Sequence, residues 1–85
     1  MKGIPTGWRE KESRLVREFS FPSYQAVIAF VNKVAAVAEE LDHHPDMYVG
    51  YDEVKIELWT HSAGGVTDKD IQLAKRISDL TRDFD

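Results

Sequence analysis

The stretch from Tyr24 to Leu41 restricts the fold more than any other part of the chain. Val27, Ile28, Val31, Val34, Ala35, Ala38 and Leu41 recur there at helical spacing over about five turns. Pro22 and Ser23 open the run: proline is tolerated in a first helical turn, and serine caps free amides. Pro45 closes it by disfavouring the helical conformation of the residue before it. Phe30 and Val37 fall outside the stripe. Apolar side chains in a second direction call for a second contact, so this helix is expected to present a self-association face.

On either side of the helix the period is two. Trp8 to Glu12 forms a weak first strand, with Ser13 in the turn after it. Leu15, Arg17, Phe19 and Phe21 then alternate with Val16, Glu18 and Ser20, and the aromatic and branched residues favour a second strand. Met47 to Tyr51 reads as a short strand, with a turn at Asp52 and Glu53. Val54, Ile56, Leu58 and Thr60 alternate with Lys55, Glu57 and Trp59, the pattern of a strand buried on one face. Gly64-Gly65 marks a turn or a close backbone approach. Thr67 and Asp70 stand where the two partners of a capping box belong, and Ile71, Ala74, Ile77, Leu80 and Phe84 follow at helical spacing. The order strand-strand-helix-strand-strand-helix predicts an α+β two-layer sandwich, with one four-stranded antiparallel sheet and both helices on one face. Residues 1–85 are expected to form a single domain, with residues 1–6 as a loose arm carrying Gly3 and Pro5.

Composition removes several function classes. With no cysteine, the chain has no disulfides, thiolate nucleophiles or cysteine-bound zinc. A formal net charge of −4 makes direct nucleic-acid binding a poor expectation, and the local cluster Arg9, Lys11, Arg14 and Arg17 reads as a solvated strand face. No apolar run approaches the roughly 20 residues that span a bilayer, and Met1 to Pro5 lack the apolar core of a secretory signal. A cytoplasmic location is the expectation.

The chemistry-bearing residues are three histidines. His43 and His44 are adjacent where the long helix ends, and His61 follows the clearest strand, just before Gly64-Gly65. Imidazole exchanges a proton near neutrality, and two neighbouring rings disfavour both being charged, so such a pair offers an acid beside a base. Glu39 is four residues before His43, on the same face of a continuous helix, where it would orient that ring. A surface histidine pair with an intrahelical salt bridge is the plainer reading of the same spacing. No familiar ligand spacing such as His-Glu-x-x-His is present, so no metal is expected. Tyr51 and Trp59 have the surface to stack on a planar ligand, although packing is the ordinary role of both.

Taken together, these residues resemble the pterin-4a-carbinolamine dehydratase family, whose members include a dimerisation cofactor of a homeodomain transcription factor. The family pattern is an acidic residue, three spacers, His-His-Pro, five spacers, an aromatic, nine spacers, a histidine and then an aspartate. Here it reads Glu39, His43-His44-Pro45, Tyr51, His61 and Asp70. Gly7-Trp8, Phe19-Ser20-Phe21, Ala26 with Phe30, Thr60-His61 and Gly64-Gly65 extend the match over residues 7–84. Six residues precede the Gly-Trp, where members usually carry a helical segment.

The resemblance implies a homo-oligomer, dimer or tetramer, that dehydrates 4a-hydroxytetrahydropterin to quinonoid dihydropterin in tetrahydrobiopterin-type recycling, with no cofactor. It implies catalytic roles for His43, His44 and His61, and binding or orienting roles for Glu39, Pro45, Tyr51 and Asp70. The alternatives are a protein-interaction module that stabilises another protein's dimer, or a related pterin or molybdopterin-pathway role.

Overall fold

The structure, a computed structural model, describes residues 3–81. Along the chain come β1 (Arg9–Lys11), β2 (Arg14–Ser20), α1 (Tyr24–Leu41), β3 (Asp46–Val49), β4 (Glu53–Leu58), a one-turn 3₁₀ helix (His61–Ala63) and α2 (Asp68–Asp79). The four strands form one antiparallel sheet in the order β1-β2-β4-β3. This is the expected ββαββα layout. Of the expected apolar positions in α2, Phe84 lies outside the described residues.

One core joins sheet and helices. Leu15 and Phe19 of β2 and Val54, Ile56 and Leu58 of β4 point into it. Val27, Phe30, Val34 and Val37 of α1 meet them, with Ile71, Leu73, Ala74 and Ile77 of α2. Both helices therefore cover the same sheet face. Val16 points the other way yet is only 3% exposed. It lies between Arg9 and Glu57 in the cross-strand register, and long charged side chains cover apolar neighbours with their stems.

The helix faces the core differently from the sequence expectation. Phe30 and Val37, assigned to a self-association face, are 1% and 7% exposed and belong to the core. Phe30 packs against Phe19 and Phe21 with ring centres 4.9 Å away in each case. Ile28, assigned to the buried stripe, is 36% exposed. The buried positions 27, 30, 34, 37 and 38 make a helical stripe of their own, rotated toward the sheet's two phenylalanines.

The caps follow their chemistry. Ser23 accepts a hydrogen bond from the Ala26 amide at 3.1 Å, and Pro22 precedes this cap rather than entering the helix. At the other end Asp42 takes a left-handed conformation, φ 51°, and its amide reaches the Ala38 and Glu39 carbonyls. The His43 amide also returns to Ala38, at 3.1 Å. A left-handed residue closes a helix by satisfying its last carbonyls. The helix thus stops at Leu41, before Pro45 exerts any effect. In α2 the capping box of Thr67 and Asp70 is complete.

The N-terminal arm is less loose than expected, because Ile4 packs against the core and the Trp8 amide bonds the Pro5 carbonyl at 3.2 Å. Gly7 has φ 93°, and a Cβ there would lie 2.8 Å from the Arg17 guanidinium carbon. The positive φ is what favours glycine there, since the Arg17 guanidinium is the far end of a flexible side chain and can shift aside. Arg17, which interrupts the apolar face of β2, lays its guanidinium 4.5 Å from the Phe19 ring centre and donates to Ser78 Oγ at 3.1 Å.

Candidate active site

The two ends of the β3–β4 hairpin divide the candidate residues. The chain leaves α1 through the left-handed Asp42, so His43, His44 and Pro45 lead directly into β3 at Asp46. Asp46 pairs with Glu57, which brings the end of β4 back beside the start of β3. Trp59, Thr60 and His61 therefore arrive next to the histidine pair. Together with Asp42, Ser62 and Lys69 these residues line an open depression of about 430 Å³, within the range of small-molecule sites. All three histidines border it. Tyr51 stands at the other end of the hairpin, 76% exposed, in the turn between β3 and β4. A strand rises about 3.3 Å per residue, so β3 alone spans roughly 10 Å, and Tyr51 and the histidines of the same chain lie beyond its opposite ends.

Asp70 anchors the site. Its side chain is fully buried, at the first turn of α2. One carboxylate oxygen, Oδ2, accepts from the Thr67 amide at 2.8 Å and from Thr60 Oγ1 at 2.8 Å. The other, Oδ1, lies 2.6 Å from His43 Nε2. Capping therefore uses one oxygen and leaves the other for the imidazole. An ionised carboxylate only accepts, which assigns the proton at Nε2 to His43 and leaves Nδ1 with the lone pair when the ring is neutral. Nδ1 has no protein partner among the described residues.

The other two imidazoles are held differently. Glu39 reaches His44 Nε2 rather than His43. The four-residue spacing to His43 counts only while the helix continues, and the reversal at Asp42 turns His43 toward α2 and leaves His44 over Glu39. His44 and Glu39 are both exposed, at 58% and 76% of their side chains. His61 is exposed on its 3₁₀ turn; its carbonyl accepts from the Gly64 amide at 3.2 Å, but its ring has no hydrogen-bond partner among the described residues. Its ring stacks on Trp59, with centres 4.0 Å apart and planes at 22°.

Two contributors have no role in the sequence reading. Thr60 falls on the buried face of β4, where alternation alone reads it as one more core position, yet its hydroxyl ties β4 to Asp70 and also meets Thr67 Oγ1 at 2.7 Å. A hydroxyl on a core face needs a partner, and that was the available signal. Lys69 borders the depression from the start of α2, a position that depends on how the helix is docked.

Comparison with known proteins places this geometry. A family model described as pterin 4 alpha carbinolamine dehydratase matches residues 1–80. Proteins provisionally named pterin-4-alpha-carbinolamine dehydratase match from Sulfolobus acidocaldarius, 45% identical over 87% of this chain and 81% of the relative, and from Thermomicrobium roseum, 45% identical over 94% and 85%. Enzymes of that name are hydro-lyases. A crystal structure from Brucella melitensis, described as a transcriptional coactivator/pterin dehydratase, superposes with a TM-score of 0.85 at 34% identity, over 88% of this chain and 82% of that one. A pterin dehydratase-like protein described as a RuBisCO assembly factor in the alpha-carboxysome gives 0.74 at 28% identity, over 88% and 87%. By its sequence and by its fold, the chain belongs to the pterin-4a-carbinolamine dehydratase family.

Proposed function

We propose that the chain dehydrates a 4a-hydroxytetrahydropterin to the quinonoid dihydropterin, the step that returns such a cofactor after an oxygenation. The C4a–OH bond breaks, the leaving hydroxide takes a proton to become water, and N5 gives up its proton as the C4a=N5 bond forms. One acid and one base suffice, and the pair ends one proton transfer from its starting state. The observation that carries this reading is His43. Its Nε2 is fixed on the buried Asp70 carboxylate, its Nδ1 has no partner among the described residues, and the residue lines an open depression that His61 also borders. We assign His43 as the base at N5 and His61 as the acid at the leaving hydroxide. His44, steadied by Glu39, polarises or binds the substrate, and Pro45 fixes the turn that presents both rings. Acid–base assistance of this kind is worth about 10²–10⁴-fold. Turnover of chemically generated carbinolamine, followed in the ultraviolet, is expected to fall by that order in His43→Ala and in His61→Ala. Rates near wild type in both variants would end the proposal.

A second reading concerns assembly. Phe30 and Val37 lend it no support, because they are core. The outer edge of β3 does: it lies at the border of the sheet, with Tyr48 51% and Val49 46% exposed beside it. An unpaired edge with exposed apolar residues is a template for pairing with another strand. A homo-oligomer joined there is expected to run as more than one chain in light scattering. Val49→Lys should shift it toward monomer, and a wild-type monomer at micromolar concentration would refute the reading.

A further inference from the structure

Trp59 connects the histidine depression to the outer face of the sheet. That face holds a second groove, about 240 Å³, lined among others by Arg9, Arg14, Glu18, Lys55 and Glu57. Four of its charged residues pair within it, Arg9 with Glu18 and Arg14 with Glu57, each at 2.7 Å. It is a good support for Trp59. The Arg14 guanidinium carbon lies 4.7 Å from the Trp59 ring centre. Glu57, whose carboxyl the Arg14 hydrogen bond holds below the usual carboxylate range, fixes Arg14 in turn. The Trp59 Nε1–H donates to Asp46 Oδ2 at 3.3 Å. Cross-strand guanidinium and neighbouring-strand carboxylate thus set the indole plane.

His61 needs such a plane. An exposed histidine samples several χ1 wells and a broad χ2, and a proton donor that samples them is misplaced most of the time. Within the described residues no hydrogen bond restrains this ring, and the face-to-face contact with Trp59, 4.0 Å between centres, is the contact that does. We propose that Trp59 is a positioning residue, which holds the His61 imidazole at the depression by stacking and does not itself act on the substrate. The inference rests on the reading of His61 as the proton donor.

The test is a double-mutant cycle with a spectroscopic arm. Trp59→Leu is expected to lower kcat about 3- to 10-fold, with KM within about twofold of wild type. Trp59→Phe, which keeps an aromatic face, should recover most of the loss. In the His61→Ala background Trp59→Leu should cost nothing further, because its route of action is gone. An equal loss in both backgrounds would mean that the indole acts on the substrate directly, and would overturn the proposal. Separately, the His61 ring protons, assigned by their absence in His61→Ala, should show an upfield ring-current shift that disappears in Trp59→Leu. Unshifted protons in the wild type would overturn the stack whatever the kinetics. A wild type without turnover would defeat the dehydratase reading and leave this spectroscopic result to judge the stack alone.

Discussion

Asp70 meets more demands than any other single residue. The Thr-x-x-Asp spacing already shows it as the start of a helix, and the complete capping box agrees. Its second role, toward a site histidine, is implied by the family resemblance and not by local spacing, because His43 lies 27 positions away and meets it only once α2 docks beside the end of α1. The same limit misassigned Glu39: an i, i+4 spacing is informative only inside a helix, and no local signal told that Asp42 would adopt φ 51°. Asp70→Asn separates the two tasks. The amide oxygen can still accept from Thr67 and Thr60, but the amide nitrogen is a donor and faces His43 Nε2. The ring must then carry its proton on Nδ1, the wrong tautomer for a base directed at N5. The expected result is a fall in kcat on the order of 10²-fold with a nearly unchanged melting temperature. Asp70→Ala should in addition lose about 1–3 kcal/mol of stability in urea denaturation, since the Thr67 amide and the buried Thr60 hydroxyl both lose their acceptor. A fully active Asp70→Asn would remove His43 from the mechanism.

At the scale of elements, kind and order could be read directly, and orientation could not. Alternation through Val54, Ile56 and Leu58 and the long run after Ser23 declare a strand and a helix through backbone geometry alone. Which side of α1 faces the sheet depends on shape. A count of apolar residues treats Ile28 and Phe30 alike, whereas Phe19 and Phe21 leave a space that an aromatic ring fills. Placing Phe30 there rotates Ile28 toward solvent. Truncating the two therefore tests the packing. Phe30→Ala should cost about 3–5 kcal/mol, a transfer loss plus a cavity among rings that cannot close over it. Ile28→Ala should cost less than about 1 kcal/mol. Urea midpoints measured side by side decide the matter, and equal losses would mean that the helix faces the sheet along a different stripe.

For the whole molecule, short turns and paired strands made the topology legible, while the network of charges on its surface was not. Acidic and basic residues alternate along the strands, but only the register matches Arg9 with Glu18, Arg14 with Glu57 and, between the helices, Arg76 with Glu40. Hydrogen bonds from these arginines hold the carboxyls of Glu18, Glu57 and Glu40 below their ordinary range. A carboxyl whose folded pKa is depressed stabilises the fold above its unfolded value, about 4.3, and that contribution disappears as pH falls through the lower, folded value. The three pairs thus add an acid limb to the stability curve, beginning below about pH 4.3. Their weights differ with exposure: the Glu57 side chain is 13% exposed and that of Glu40 is 60%, so water screens the second pair far more. At pH 6 Glu57→Gln should therefore melt about 1–3 °C below wild type, and Glu40→Gln should be nearly indistinguishable from it. As pH falls below about 4 the gap between Glu57→Gln and wild type should narrow, because both then carry a neutral side chain at that position. Melting curves taken in half-unit steps from pH 6 to pH 3 would show it. A gap that stays constant over that range would mean that Glu57 contributes by packing over Val16 and not by its charge.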